Sequence, residues 1–432
     1  RPGTDGAAGH LRPLIGVQPM DATADLPQFR AEVRAWLEAN APDGLAGCFD
    51  WRARADLPGS VMSGQSEEDL ARAQHHPLFR EWERLCLAAR LVCAGWPEEH
   101  GGRGWDALHM SVYDEECYRA GLPRVDRLQG ESMVGPSIIL HGTDEQKATF
   151  LPPIISGKHR YCQGFSEPNA GSDLAAVATR GVIEGDDIVM SGQKLWTSRF
   201  SVANMIFVLC RTDPDAPKHR GLSYVLAEFD PGNGIDVRPI RQMTGGAEFG
   251  EVFLDGTRAP LGNIVGGLNN GWKVVQTTLM HERVGGGRVT SLMCLARQRE
   301  FAALVDTVRK AGDHTDPLVR QQLARAFTDV ELLRITWGRI RAELAAGRDP
   351  GPPAATWKLR WSEYHARLGA LAMDLLGPAA TIRPEGDSYA TDPWQDVFLT
   401  APSGLIYAGT SEIQRNIIGE RVLGLPREPA PR

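Results

Sequence analysis

No stretch of this 432-residue chain approaches the roughly 20 consecutive apolar residues that a bilayer-spanning helix needs, so nothing here reads as a transmembrane segment. Basic residues are not in excess either. Forty-seven Lys and Arg against 54 Asp and Glu leave a formal net charge of −7, which argues against a cationic face for nucleic acid or anionic membrane. The seven cysteines (Cys48, Cys86, Cys93, Cys117, Cys162, Cys210, Cys294) are scattered and none forms a CxxC pair. Neither a disulfide framework nor a zinc or other metal site is indicated, and a reducing, cytoplasmic setting fits best. Residues 1–19 lack the hydrophobic core of a signal peptide, so they read as a disordered or cloning-derived leader, with Met20 as the natural start. There is no internal repeat and no long low-complexity tract.

What is present is a change of period along a chain long enough for two or three domains. Apolar residues recur at helical spacing over 26–40 (Phe29, Val33, Trp36, Leu37), 69–91, 107–120, 132–140 and 144–154, interrupted by the Gly- and Pro-rich stretch 95–105. From about residue 158 the pattern turns to short alternating runs. A hairpin is expected around Gly185-Asp186-Asp187, with further strands over 203–211, 222–228, 235–238 and 251–254, as in a sandwich or barrel. The helical period returns at Trp272 and holds over 272–311, 316–345, 355–376 and a last helix near the C-terminus, which suggests a four-helix bundle. The expected class is α+β: a leader (1–19), an N-terminal helical domain (20–157), a middle β-domain (158–265) and a C-terminal helical bundle (266–432).

Three segments carry chemistry. Gly164-Phe-Ser-Glu-Pro-Asn-Ala-Gly-Ser-Asp173 ends a strand in a turn that offers the hydroxyls of Ser166 and Ser172 and free backbone N–H groups, suited to a flat heterocycle or an anion. Composition alone favours a plain Ser- and Gly-rich turn. Gly192-Gln-Lys-Leu-Trp-Thr-Ser198 sets Trp196 beside Thr197 and Ser198, where a ring could wall a cofactor or simply fill a core. The third, 405–424, reads as a loop running into a helix, with Ser411 as N-cap, Gln414 at capping-box spacing, and the N–H groups of Gly409 and Thr410 ahead of the helix.

These segments in this order, with helix–strand–helix segmentation, resemble the acyl-CoA dehydrogenase family over residues 26–428. The resemblance implies FAD and an acyl-CoA held between the middle domain and the bundle, and a homodimer or homotetramer. On it, Gln163, Phe165, Ser166 and Ser172 match the first flavin-binding segment, and Ser172 also matches an acyl-CoA contact. Trp196, Thr197 and Ser198 match the second, while Thr410 and Glu412 match FAD contacts beyond the catalytic loop. Tyr407, Ala408 and Gly409 fall on the loop that meets the substrate. The family's Gln-x-x-Gly-Gly motif, which binds a neighbouring subunit's FAD, reads Asp374-Leu-Leu-Gly-Pro378 here, leaving Asp374 and Gly377 as weak matches. Its Arg-x-x-Phe-Gly segment has no clear copy, with Arg309 the nearest candidate.

The resemblance breaks where the family's catalytic Glu usually stands, before the Gly-Thr of the loop. Here that residue is Ala408, and a methyl group accepts no proton. Members resembling isovaleryl- and long-chain acyl-CoA dehydrogenases instead carry a bundle-helix Glu followed by Arg. Met280-His-Glu-Arg283 has that arrangement, so Glu282 is the expected base and Arg283 a substrate-side residue. Gly285, Gly286 and Gly287 are read as widening the acyl cavity, or alternatively as a kink or close helix packing. The implied reaction is acyl-CoA to trans-2-enoyl-CoA, with electrons passed to an electron-transferring flavoprotein. Two alternatives stand beside it: a non-catalytic subunit of a mixed tetramer, and a flavin oxidase or monooxygenase acting on a non-CoA substrate such as a nitroalkane or amino sugar.

Overall fold

The computed structural model describes residues 26–48, 75–284, 288–348, 351–382 and 392–427; among these, the side chains of 47, 48, 282–284, 288–291, 314, 351–353 and 355 lie outside the described set. The leader 1–19, Met20 and Gly285 to Gly287 also lie outside it.

The N-terminal layer is helical, as its period predicts. Helix α1 (Leu26–Asn40) buries Phe29, Val33, Trp36 and Leu37 on one stripe. After α2 (Leu45–Cys48) come α3 (Pro77–Ala88) and α4 (Ala107–Ala120), started by the Asp106 cap and ended by Gly121 at φ +69°. A wide turn over Gly130–Val134 leads into α5 (Gly135–His141), and a Thr143/Gln146 capping box opens α6 (Asp144–Ile155). Gly135 has to be glycine, because an added Cβ would overlap the Trp96 indole.

Eight strands follow: β1 (Tyr161–Gly164), β2 (Arg180–Glu184), β3 (Asp187–Ser198), β4 (Met205–Arg211), β5 (Leu222–Glu228), β6 (Ile235–Ile240), β7 (Phe249–Pro260) and β8 (Ile264–Val265). The expected hairpin joins β2 to β3, turning at Gly185 with φ +63°. These eight strands form one sheet in the order β6-β7-β3-β2-β4-β5-β8, with β1 parallel on β4. The sheet folds over on itself, since β5 packs on β7 and β1 on β3. The continuous apolar run of β4 follows from burial on both faces. Met205, Phe207 and Leu209 join the core under the N-terminal helices, whereas Ile206, Val208 and Cys210 point into a second core inside the folded sheet.

In the C-terminal part, α7 (Gly271–Val284) lies against β5 and α5 rather than in the bundle. The bundle consists of α8 (Arg288–Ala311), α9 (Pro317–Ala345), α10 (Gly351–Leu376) and α11 (Pro393–Gly404) around Leu333, Trp337, Trp361, Tyr364 and Val397. Helix α11 is absent from the sequence reading, although its start carries a capping box from Asp392 to Gln395 and a Pro at its first turn. The last elements among the described residues are α12 (Ser411–Ile417) and a wide turn over Ile418–Val422. Among the described residues no helix is long and apolar enough to cross a membrane.

Candidate functional site

The first two motif segments are fastened together by one buried ion pair. At the end of β1, Phe165 is buried against Phe207 and Tyr224, and the Ser166 carbonyl accepts the Leu195 N–H at 2.8 Å. Lys194 of β3 is fully buried. Its Nζ donates to Glu167 Oε1 at 2.8 Å, to the Leu209 carbonyl at 2.7 Å and to the Phe165 carbonyl at 3.2 Å. Glu167 also accepts the backbone N–H groups of Ala178 (2.7 Å) and Thr179 (2.9 Å). Burial pushes the Glu167 carboxyl up, but Lys194 and these N–H groups outweigh it and hold the carboxyl below its ordinary range. Burial in turn lowers Lys194, with Glu167 opposing the shift. Neither residue stood out in the sequence. The available signal was a lysine at an inward position of a strand. Beyond the pair, Glu167 and Ala170 close a tight turn that leaves Ser172 exposed, while Gln163 and Ser166 are half-buried.

The second segment is a bulge. Pairing between β3 and β7 slips between Lys194 and Thr197, which lets Trp196 adopt φ +61°. A bulky residue held there is strained, on the order of 1–3 kcal/mol. Trp196 remains 54% exposed, and Phe249 meets it edge-on with ring centroids 5.9 Å apart. Next to this open aromatic face, the Thr197 hydroxyl is buried without a hydrogen-bond partner, and Ser198 is half-buried. A flat ring with polar edges fits an exposed indole flanked by an unpaired hydroxyl.

The C-terminal loop is pinned from two sides. Ala408 sits at φ +53° and Gly409 at φ +94°. Gln414 Nε2 donates to the Ala408 carbonyl at 3.1 Å, and Lys358 Nζ from α10 donates to the Gly409 carbonyl at 2.6 Å. With both carbonyls held, the N–H of each peptide plane faces the opposite way. Burial lowers Lys358 to about 8, with Glu412 opposing. Tyr407 lies 6.2 Å from the Trp361 ring, and burial pushes its phenol well above the ordinary range. The cap differs from the sequence expectation. Thr410, not Ser411, is the N-cap and accepts the Ile413 N–H. Gln414 reaches past the cap to Ala408 instead of closing a capping box. The helix therefore starts one residue earlier than a Ser411 cap requires, at Ser411, whose N–H donates to the Leu405 carbonyl at 3.0 Å. The buried Ser411 hydroxyl has no partner.

Other candidates lie apart from these three segments. Arg309 is exposed near the end of α8, 3.4 Å from Asp306 of the same helix. Asp374 is exposed and Gly377 (φ +55°) half-buried at the end of α10; Glu412, by contrast, belongs to the third segment and is exposed on α12. Glu282 and Arg283 occupy the last turn of α7, with their side chains outside the described set. The bundle nonetheless comes close to the second segment. Asp396 of α11 is raised to about 6, by burial first and then by the charge of Glu248, the residue before Phe249.

Helical layer, folded sheet and bundle follow one another in the order of a known class of oxidoreductase. Three domain descriptions of one family match the chain in order: "Acyl-CoA dehydrogenase, N-terminal domain" over residues 60–158, "middle domain" over 162–257 and "C-terminal domain" over 269–423. The chain belongs to the acyl-CoA dehydrogenase family, and it is an acyl-CoA dehydrogenase by type. It is 42% identical over 404 residues to acyl-CoA dehydrogenase IpdE1 of Mycobacterium tuberculosis, covering 94% of this chain and 99% of that protein. It is similar to a solved structure described as the Tcur3481-Tcur3483 steroid ACAD, with 30% identity, a TM-score of 0.73, and coverage of 95% of this chain and 100% of that one. The ChsE4-ChsE5 complex from Mycobacterium tuberculosis matches with 29% identity and a TM-score of 0.71, covering 96% and 100%.

Proposed function

We propose that this chain converts an acyl-CoA, of fatty-acid or steroid side-chain origin, to its trans-2-enoyl-CoA, with FAD as cofactor and an electron-transferring flavoprotein as acceptor. The observation that supports it most is the exposed Trp196 face beside the unpaired Thr197 hydroxyl, fastened to Ser166 through the Glu167–Lys194 pair. Gln163, Phe165, Ser166, Ser172, Trp196, Thr197, Ser198, Thr410 and Glu412 would hold the cofactor within this subunit. Arg309, Asp374 and Gly377 are the candidates for contacts with a neighbouring subunit's cofactor. Bound FAD would supply the acceptor for the hydride leaving the β-carbon.

The remaining chemistry is the chain's own. Glu282 takes the proton from the α-carbon, a step for which Ala408 has no basic atom. The Ala408 N–H, on the pinned loop, donates to the thioester carbonyl and stabilises the charge that develops there. Tyr407 and Gly409 border the thioester, Ser172 the CoA side, and Arg283 the base. The division of the chain at 157/158 and 265/266 belongs to the same reading. The test is Glu282→Gln. The variant should keep its flavin spectrum and lose substrate-driven bleaching; bleaching at the wild-type rate rules out this base.

A second reading has a specific motive. Two of the similar structures are named for two components, and the motif at Asp374 to Pro378 departs from the family pattern. On that reading the chain is a subunit of a mixed tetramer. Purified alone it would be colourless and would gain flavin only with its partner, whereas a yellow chain that bleaches with acyl-CoA excludes the idea.

A further inference from the structure

Helix α7 carries Glu282 and Arg283 in its last turn and is anchored well before it. Gly271 starts the helix so close to β5 that an added Cβ would stand 2.6 Å from the Ser223 carbonyl carbon and the Tyr224 nitrogen. Val274, Val275 and Thr278 are then fully buried, on one stripe at helical spacing. Met280 is exposed and His281 half-buried. Thr278 is thus the last buried side chain of α7 among the described residues.

Thr278 is the polar member of that stripe, and its partner lies on another helix. Its Oγ1 is 2.7 Å from Ser137 Oγ of α5, and both residues are fully buried. Ser137 Oγ also reaches the Met133 carbonyl at 2.8 Å, in the wide turn ahead of α5, and Thr278 Oγ1 the Val274 carbonyl at 3.1 Å. Each hydroxyl has one proton, so one of them donates across the helix pair and the other to its own carbonyl. Beside this contact, Thr277 Oγ1 and His141 Nε2 are 2.7 Å apart. Burial, and then the charge of Lys273, lowers His141, so this is a neutral hydrogen bond near pH 7. Tyr224 of β5 closes the cluster: burial raises its phenol, and the Thr278 and Ser137 hydroxyls oppose the shift.

Two adjacent threonines are weak helix formers, and a buried hydroxyl is costly without a partner. Both hydroxyls are matched in one register of α7 on α5, and a slide of one residue would leave Thr278 and Ser137 buried and unmatched. A polar contact in an apolar seam fixes register in this way. Glu282 stands four residues beyond Thr278, one turn and about 6 Å along the same stripe. We propose that Thr278 and Ser137, with Thr277 and His141 beside them, are positioning residues that hold the last turn of α7 and so set where Glu282 meets the α-carbon of the substrate. This deepens the reading of Glu282 as the base and rests on it.

The test follows flavin bleaching by octanoyl-CoA and by cyclohexylpropanoyl-CoA in stopped flow on the flavin-loaded protein. Thr278→Val keeps the shape of the side chain and removes its hydroxyl. It should lower the limiting reduction rate about tenfold with the half-saturating acyl-CoA concentration unchanged, as a small displacement of a reacting group does. Thr278→Ser should bring the rate back near that of the wild type. The slowing caused by α-deuteration of the acyl-CoA should grow in Thr278→Val, because proton removal has become harder. Melting curves and flavin content show that the variant folds; if Thr278→Val melts early, Ser137→Ala reads the same contact from α5. Wild-type reduction rates in Thr278→Val and Ser137→Ala overturn the positioning role while Glu282 stands as base. So does a loss confined to the half-saturating concentration, or one that Thr278→Ser does not restore. Wild-type bleaching by Glu282→Gln, or no bleaching of the wild type by either thioester, removes the reading on which it rests.

Discussion

At the residue scale, Ala408 and Lys358 decide how the C-terminal loop can work. On the proposed reading the alanine supplies no base, yet its carbonyl is held by Gln414 and the next by Lys358 at 2.6 Å, which fixes the peptide planes carrying the Gly409 and Thr410 N–H groups. Replacing Lys358 with Met should leave the flavin bound and slow its reduction by acyl-CoA about tenfold, as expected for losing one charge-assisted contact behind a catalytic loop. Lys358→Arg should restore part of the rate. Stopped-flow absorbance reads both, and an unchanged rate in Lys358→Met would show that the loop holds itself. The substitution at Ala408 was legible in the sequence because it breaks a local motif. The role of Lys358 was not, because its partner lies 51 residues away.

At the element scale, the Glu167–Lys194 pair fixes β3 to the turn after β1, and with it the bulge that presents Trp196. Lys194→Met leaves Glu167 buried without its cation and should lower stability by about 3–5 kcal/mol in urea denaturation. Combining it with Glu167→Gln should recover part of that loss, and a single-variant effect within about 0.5 kcal/mol would mean that the pair is not structural. Elements with one dominant period were legible. Helices α1 and α4 and strand β5 run over the residues their patterns indicate. Helix α11 escaped despite its capping box, because Pro402 and Gly404 break its period within three turns. The cap of α12 lies one residue earlier than expected because the Thr410 hydroxyl, not that of Ser411, accepts the helix N–H of Ile413. The first is a local break in the helical period, and the second is a choice between two adjacent hydroxyls that spacing alone does not decide.

On the scale of the whole molecule, two of its layers meet where the second segment emerges, and one titrating group reports that contact. Asp396 on the bundle is raised from 3.8 to about 6, by burial and then by Glu248 beside β7. Between those values the folded chain holds a proton that the unfolded chain has released. Its contribution to stability is therefore full below about pH 4 and is lost as pH rises through about 6. Asp396→Asn should flatten this part of the stability profile, measured by urea denaturation at about pH 4 and about pH 7. An unaltered slope would place the buried contact elsewhere. The three-part segmentation was visible from the change in period. The single folded sheet and the placement of α7 outside the bundle were not, because pairing order and packing partners are set by contacts distant in sequence.

The central claim is that proton abstraction has moved from the loop at Ala408 to Glu282 on α7. The most direct measurement is anaerobic titration of the flavin-loaded chain with acyl-CoAs, following flavin absorbance in the wild type and in Glu282→Gln. The account predicts bleaching in the wild type and a retained yellow spectrum with little or no bleaching in the variant. Bleaching of the variant at the wild-type rate would contradict it.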